Sequence, residues 1–230
     1  MQHFLTSSRA ILDSLWRNRN LIKSLIRSEV LGRYRGSYIG VLWSFFNPLV
    51  MLSVYTFVFS VVFNARWSVG SDSKAEFALL LFAGLIVFNI FGECFTRAPN
   101  LIISNANYVK KVIFPLEALP WVVLGAAGFH ALISLLVWMI AYVVFIGMPP
   151  PTLLLLPLVI FPFLLMIMGI TWAMAGLGVY VRDLSQFSGL LTTVLMFISP
   201  IFYPIDALPE SFHRFLLLNP LAAPIENVRS

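Results

Sequence analysis

Charged side chains are scarce in this sequence, at 11% of its 230 residues, whereas hydrophobic ones make up 60%. A soluble globular domain contains about 25% charged residues. The few charges are bunched, and the stretches between them reach the roughly 20 apolar residues that are needed to cross a bilayer. Residues 118–181, for example, contain no Asp, Glu, Lys or Arg. We therefore interpret the chain as an all-α polytopic membrane protein.

Cysteine and the common catalytic motifs are also nearly absent. Cys94 is the single cysteine, which excludes an internal disulfide and a cysteine metal cluster. No HExxH or GxSxG motif occurs, and the three histidines are far apart, so we expect no metal site and no catalytic residues. None of the four lysines follows a glycine, which excludes the phosphate-binding P-loop and ATP hydrolysis by that route.

Five apolar runs lie between the charged segments. Met148–Pro151 divides the longest of them into two spans, because consecutive prolines cannot continue a helix. The runs are 36–65, 77–96, the two parts of 118–181, and 184–205. This pattern predicts three regions: a cytoplasmic amphipathic interface segment at 1–35, a transmembrane domain at 36–205, and a polar, proline-punctuated segment at 206–230.

The distribution of Lys and Arg predicts the orientation. If the N-terminus is cytoplasmic, eleven of the fifteen basic residues fall in the cytoplasmic segments 1–35, 97–111 and 182–183. This excess matches the rule that basic residues favour cytoplasmic loops. Membrane topology thus explains the net charge of +5, and we expect no nucleic-acid partner.

An amphipathic helix is predicted directly before the first span. Apolar residues recur there at helical spacing, opposite Lys23, Ser24, Arg27 and Ser28. They are Leu21, Ile22, Leu25, Ile26 and Val30. We predict a break from an earlier helix near Arg17–Asn20, with Asn20 as the N-cap. A basic amphipathic helix beside a span most simply lies in the membrane interface; a docking surface for a cytoplasmic partner is the alternative.

Polar and aromatic residues inside the spans are candidates for function. Glu93 lies near the end of the second span and His130 within the third, and ionisable groups at such depths are functional candidates. Packed, hydrogen-bonded side chains that face the bundle are the simpler interpretation of both. The first span is rich in aromatic rings, which could stack on sugars or could only pack.

Four sequence blocks resemble a known family. RYRGSYIGVLWSFFNP at Arg33–Pro48 is similar to the N-terminal signature of the membrane subunit of ABC-type polysaccharide exporters. The other three agree in order and spacing: NANYVKKVIFPLEALP at Asn105–Pro120, VRDLSQF at Val181–Phe187, and SPIFYP at Ser199–Pro204 with the later Asn219-Pro220. The resemblance covers the chain from about Ser24 to its end and is strongest to the O-antigen, or lipopolysaccharide, export branch.

The resemblance implies a channel-forming subunit that is not itself an enzyme. Two copies of such a permease pair with two copies of a separate ABC ATPase, which binds ATP and Mg, so this chain needs no cofactor. The cargo would be a polysaccharide on an undecaprenyl-type lipid, exported across the bacterial inner membrane from the cytoplasmic side. Family members have six spans with short re-entrant helices on the outer face between the last two. We therefore expect a final span that this sequence lacks.

Roles for individual residues also follow from the resemblance. The candidate sugar-facing rings are Tyr38, Trp43, Phe46 and Tyr55. The candidate contacts with the ATPase lie on the interface helix and on a coupling helix within 97–111: Arg27, Arg33, Arg35, Asn105, Tyr108, Lys110 and Lys111. The outer gate, within 206–230 and the turn before it, would include Tyr203, Pro204, Phe212 and Phe215.

Three other interpretations remain open. Within the family, the cargo could be capsular polysaccharide, teichoic acid or a small substrate. An ATP-independent secondary transporter would have inverted repeats and midplane polar groups, of which we find no repeat and few groups. An enzyme acting on lipid-linked sugars would need an acidic cluster or a metal pair, and Asp206, Glu210 and Glu226 have no spacing that suggests one.

Overall fold

Helices account for all the regular secondary structure in the parts of the chain that the structure describes. The structure is a computed structural model, and it describes residues 16–58, 74–106, 115–205, 216 and 219–229. The helices are α1 Arg19–Arg33, α2 Trp43–Tyr55, α3 Lys74–Arg97, α4 Leu101–Ser104, α5 Ala118–Phe145, α6 Leu156–Tyr180, α7 Leu184–Ile198 and α8 Ala222–Arg229. Single 3₁₀ turns at Gly40–Leu42, Ala98–Asn100 and Pro151–Leu155 precede α2, α4 and α6. The prediction of an all-α chain is confirmed for these residues.

Four helical segments in the described ranges are long and apolar enough to cross a membrane. They are Gly40–Val58, Ala75–Ser104, Ala118–Phe145 and Pro151–Tyr180. The helix break at Met148–Pro151 is confirmed, since α5 ends at Phe145 and the next helical turn begins at Pro151. Helix α7 has 15 residues and is about 22 Å long at 1.5 Å per residue, short of a hydrocarbon core of about 30 Å. The count of five spans therefore stays a prediction.

Helix α3 is the centre of the bundle. Most of its side chains are buried, and it contacts α2, α5, α6, α7 and α8. Helix α5 runs antiparallel to it: the indole Nε1 of Trp138 donates to the Leu79 carbonyl oxygen at 2.9 Å near one end, and His130 meets Glu93 toward the other. A polar side chain on the inner half of α3 is therefore surrounded by protein.

Helix α6 reaches its closest neighbour at Gly178. A Cβ added to this glycine would overlap the backbone carbonyl of Pro99 in the 3₁₀ turn after α3. Because backbone atoms cannot move aside as the end of a side chain can, only glycine fits this contact. The contact fixes the end of α6 against the end of α3.

Helix α1 packs along the first half of α5. Ile22 lies in a buried cluster with Ala118 and Val122, and the Ile26 side chain occupies the space next to Gly125. The predicted apolar stripe is confirmed by the burial of Ile22 and Val30. A turn interrupts the helix at Asn18, as predicted, but α1 begins at Arg19, so Asn20 lies inside the helix and its assignment as the N-cap was wrong. The location of α1 in the membrane interface stays a prediction.

Candidate functional site

Glu93 on α3 lies at the centre of a charged cluster. Its Oε1 accepts a hydrogen bond from the Nη1 of Arg33, at the end of α1, at 2.9 Å. The same oxygen lies 3.3 Å from the Nη1 of Arg97, one turn further along α3. Its side chain is 15% exposed, so it is largely withdrawn from solvent. One carboxylate therefore joins the end of α1 to the central helix.

His130 adds α5 to this cluster. Its Nδ1 lies 2.9 Å from Glu93 Oε2 and 3.1 Å from the Nη1 of Arg33. One ring nitrogen cannot donate to the carboxylate and accept from the guanidinium at once, so the tautomer selects between the two partners. The ring also meets Tyr34 edge to face, with centroids 6.4 Å apart. Burial raises the pKa of Tyr34, which keeps its hydroxyl protonated at neutral pH.

A second connection between α1 and α3 lies next to the first. Arg97 donates to the Glu29 carboxylate of α1 as well as to Glu93. Both side chains of the Glu29–Arg97 pair are more than a third exposed, so solvent screens this pair more than it screens Glu93. Glu29 and Arg33 are four residues apart and therefore project from the same face of α1.

The cluster is balanced in charge. It contains two arginines and two glutamates, with His130 as the fifth member. A charge inside a membrane protein is tolerated when it faces the bundle and is paired, as each of these is. Removing one partner leaves the others uncompensated, so the cluster acts as a unit. Its geometry suits a connection between helices, and its saturated contacts do not suit acid–base catalysis.

A polar cavity of about 650 Å³ opens beside the cluster. It lies between α2, α3, α5 and α7, and its wall includes Glu93 and His130 as well as neutral hydrogen-bonding groups and one indole ring. The further polar and aromatic lining residues are Arg33, Tyr34, Trp43, Ser44, Asn47, Asn89, Ser134 and Thr192. Amide and hydroxyl groups that face a shared space inside an apolar bundle can bind a hydroxyl-rich ligand.

The sequence matches the ABC-2 type transporter family over residues 20–230, which is most of the chain. The chain belongs to the ABC-2 type transporter family. Together with four helices long enough to cross a bilayer, this makes it a multi-pass membrane protein.

Individual relatives agree with this membership. The chain is similar to the O-antigen export system permease protein RfbA of Myxococcus xanthus, with 27% identity over 93% of this chain and 80% of the relative. It is 29% identical to the RfbA permease of Klebsiella pneumoniae, over 90% of this chain and 77% of the relative. It is 26% identical to the polysialic acid transport protein KpsM of Escherichia coli, over 89% and 78%. The resemblance to polysaccharide-export permeases and their O-antigen branch is confirmed.

The four aromatic residues predicted to face sugar occupy different environments in this ABC-2 chain. Trp43 lines the polar cavity and is 45% exposed. Tyr38 and Phe46 are exposed on the surface of the single chain, and Tyr55 packs against the hydrophobic core. The geometry therefore favours Trp43 over the other three as a ring that meets cargo inside the protomer.

The residues predicted to contact the ATPase are also divided. Arg27 and Arg35 are exposed, whereas Arg33 is engaged by Glu93 and His130. Asn105 donates its side-chain amide to the Leu101 carbonyl at 2.9 Å and so caps the short helix α4. Tyr108, Lys110 and Lys111 lie outside the described residues. The predicted role of the whole group in coupling stays a prediction.

Of the predicted outer-gate residues, Tyr203 and Pro204 are in the described part of the chain, and Phe212 and Phe215 are outside it. The Tyr203 hydroxyl donates to the Ile198 carbonyl at 2.7 Å and ties the SPIFYP turn to the end of α7. The predicted re-entrant segment is too little described for its conformation to be compared with the prediction.

Sequence reasoning found Glu93 and His130 separately but missed that they meet Arg33. Their sequence separations of 60 and 97 residues from Arg33 leave no local pattern to follow. The usable signal is that an ionisable residue in a span needs a partner. Glu29, Arg97 and the cavity amides Asn47 and Asn89 were also missed as site residues.

Proposed function

We propose that this chain is the channel-forming subunit of an ATP-driven exporter that moves a lipid-linked polysaccharide of the O-antigen type out of the cytoplasm. The similarity to O-antigen export permeases over about nine tenths of the chain carries this proposal. The exporter is placed in the bacterial inner membrane with the N-terminus of this chain in the cytoplasm. That orientation agrees with the excess of basic residues in segments 1–35, 97–111 and 182–183.

The energy for export comes from a separate ATPase. The sequence has no P-loop, so we propose two copies of an ATP-binding partner with two copies of this permease, and ATP and Mg bound by the partner. Helix α1, with Arg27 and Arg35 exposed, and residues 97–111 would meet the ATPase. A displacement of α1 would reach α3 and α5 through Arg33, Glu93 and His130, because these side chains join the three helices directly.

The polar cavity gives the cargo a place in this scheme. A sugar chain carries many hydroxyl groups and cannot enter an apolar bundle without replacing their hydrogen bonds to water. The cavity between α2, α3, α5 and α7 offers amides, hydroxyls and the Trp43 ring at about 650 Å³. Passage of the sugar along this side of α2 and α7 is the step that the cavity supports.

A capsule-type polysaccharide is the second candidate cargo. It is favoured by the 26% identity to the polysialic acid transport protein KpsM. The two cargoes share a sugar polymer and differ in repeat unit and lipid, which makes them separable by analysis of what accumulates when export stops.

Deleting the gene for this chain tests the proposal. We expect surface polysaccharide to disappear and lipid-linked polysaccharide to accumulate inside the cell, with both restored by the wild-type gene. Mass spectrometry of the accumulated glycolipid identifies the repeat unit and so separates O-antigen from capsule. Unchanged surface polysaccharide in the deletion strain would rule the proposal out.

Replacing Trp43 by alanine tests the cavity as the cargo path. We expect export to fall severalfold at normal protein levels, because the indole ring that lines the cavity is lost. Export rate, membrane abundance and co-purification with the ATPase are the measurements. Phe46→Ala on the same helix is the matched comparison, since Phe46 is exposed and does not line the cavity. Equal export by Trp43→Ala and wild type would return Trp43 to a packing role.

A further inference from the structure

Arg229, on α8, lies where three other segments of the chain meet. Its Nε donates to the Leu80 carbonyl of α3 at 2.9 Å, and its Nη2 donates to the Ile201 carbonyl at 2.6 Å. Its Nη1 donates to the carbonyl of Pro200. One guanidinium therefore joins α8, the start of α3, and the turn that follows α7.

The space for this guanidinium is provided by Gly84. A Cβ added at Gly84 would overlap the Nη2 of Arg229 and lie close to its Cζ. Gly84 is one turn along α3 from Leu80, so a side chain there would push the arginine off the carbonyl that it contacts. Arg229 and Gly84 are thus complementary in shape.

The turn at 199–203 needs such a partner. Helix α7 ends at Ile198, and the last carbonyls of a helix have no partner within it. Pro200 and Ile201 are buried, so water does not satisfy their carbonyl oxygens. Arginine suits this position because its planar fork has five N–H donors in fixed directions, and lysine has no equivalent geometry.

The arginine remains charged in this position. Burial lowers the pKa of Arg229 to about 10, and the nearby Glu226 carboxylate opposes that shift. At neutral pH the guanidinium is therefore protonated and keeps all its donors. Two further bonds hold the same turn: the Asn219 amide donates to Ser199 Oγ at 2.9 Å, and Tyr203 donates to Ile198.

We propose that Arg229 and Gly84 form a pin that positions the 199–203 turn, and with it the end of α7, against the start of α3. This end of the bundle is the one that the charge distribution places outside. Arg229 is a positioning residue: it touches no cargo, and it holds the outer end of the cavity wall on α7 in place between export cycles. That last role rests on the proposed function, whereas the pin itself does not.

A cysteine reporter tests the pin in the full complex. Ile201 is 0% exposed, so the thiol introduced by Ile201→Cys reacts slowly with a maleimide unless the turn detaches. The permease carrying this change, with its ATPase in nanodiscs and without ATP, is labelled over time. Nanodiscs leave both membrane faces accessible, so the assay does not depend on orientation. Cys94, also 0% exposed, is the internal standard for global unfolding.

We expect Arg229→Gln to raise the labelling rate of the introduced thiol about tenfold or more, and Gly84→Ala to do the same, with Cys94 still protected. Because both changes break one contact, the double variant is expected to label no faster than the faster single variant. Arg182→Gln and Gly169→Ala are the controls, since Arg182 is exposed and a Cβ at Gly169 meets nothing within 4 Å.

Three results would overturn the pin: unchanged labelling in either single variant, multiplied effects in the double variant, or equal loss of Cys94 protection. Export by Arg229→Gln cells is measured separately and is expected to fall. Raised labelling of the introduced thiol in a chain that proves not to export polysaccharide would keep the pin and remove only its role in export.

Discussion

Replacing Glu93 by glutamine is expected to lower export about tenfold or more while the permease still assembles. Glutamine keeps the shape but removes the charge that Arg33, Arg97 and His130 share. Breaking a buried ion pair costs about 3–5 kcal/mol, and the 54% exposure of the Arg33 side chain reduces this value. A loss of about 1.4 kcal/mol in coupling already corresponds to a factor of ten in rate.

Export and ATPase stimulation, normalised to the amount of complex, measure this effect. Glu117→Gln is the control for a change of charge, because Glu117 is exposed. Glu29→Gln is expected to have a smaller effect, within about fivefold, because the Glu29–Arg97 pair is more exposed than Glu93. Wild-type export by Glu93→Gln at wild-type abundance would remove the cluster from the coupling path.

Replacing Gly178 by alanine is expected to destabilise the folded permease strongly. The new Cβ would overlap the Pro99 carbonyl, so α6 or the 3₁₀ turn after α3 must move. Overpacking in a well-packed interior costs about 1–3 kcal/mol and occasionally more, and a backbone atom as the obstacle favours the upper part of that range. Less protein should reach the membrane, and what remains should have a lower Tm.

Gly176→Ala is the matched control on the same helix, since a Cβ there meets nothing within 4 Å. It is expected to leave both abundance and Tm close to wild type. The comparison separates the effect of the contact from the effect of a methyl group in α6. Equal Tm values for the two variants would mean that α6 does not approach Pro99 as closely as described.

The sequence predicted those parts of the fold that depend on local pattern. Apolar length marked the four long spans, and helical spacing marked the stripe on α1 that includes Ile22 and Val30. The length of α7 was missed although a local signal was present. Ser199 precedes a proline and is extended, with ψ of 146°, which ends the helix at Ile198.

The contacts that build the candidate site could not be predicted in the same way. Arg33 was correctly singled out as a residue of interest, but its partners depend on how α1, α3 and α5 pack. The contacts of Gly178 with Pro99 and of Gly84 with Arg229 likewise join distant segments, and a glycine in an apolar helix has no sequence feature that names its neighbour. Charges inside spans indicate that a partner exists and leave its identity to the tertiary fold.

The central claim, ATP-driven export of a lipid-linked polysaccharide by this permease, is tested most directly in proteoliposomes. The permease and its ATPase partner are reconstituted with labelled lipid-linked polysaccharide, and the labelled sugar that crosses the membrane is measured with and without ATP. We predict transport that requires ATP, the permease and a catalytically intact ATPase. Equal transport with an ATPase that cannot hydrolyse ATP would contradict the account and favour a secondary transporter.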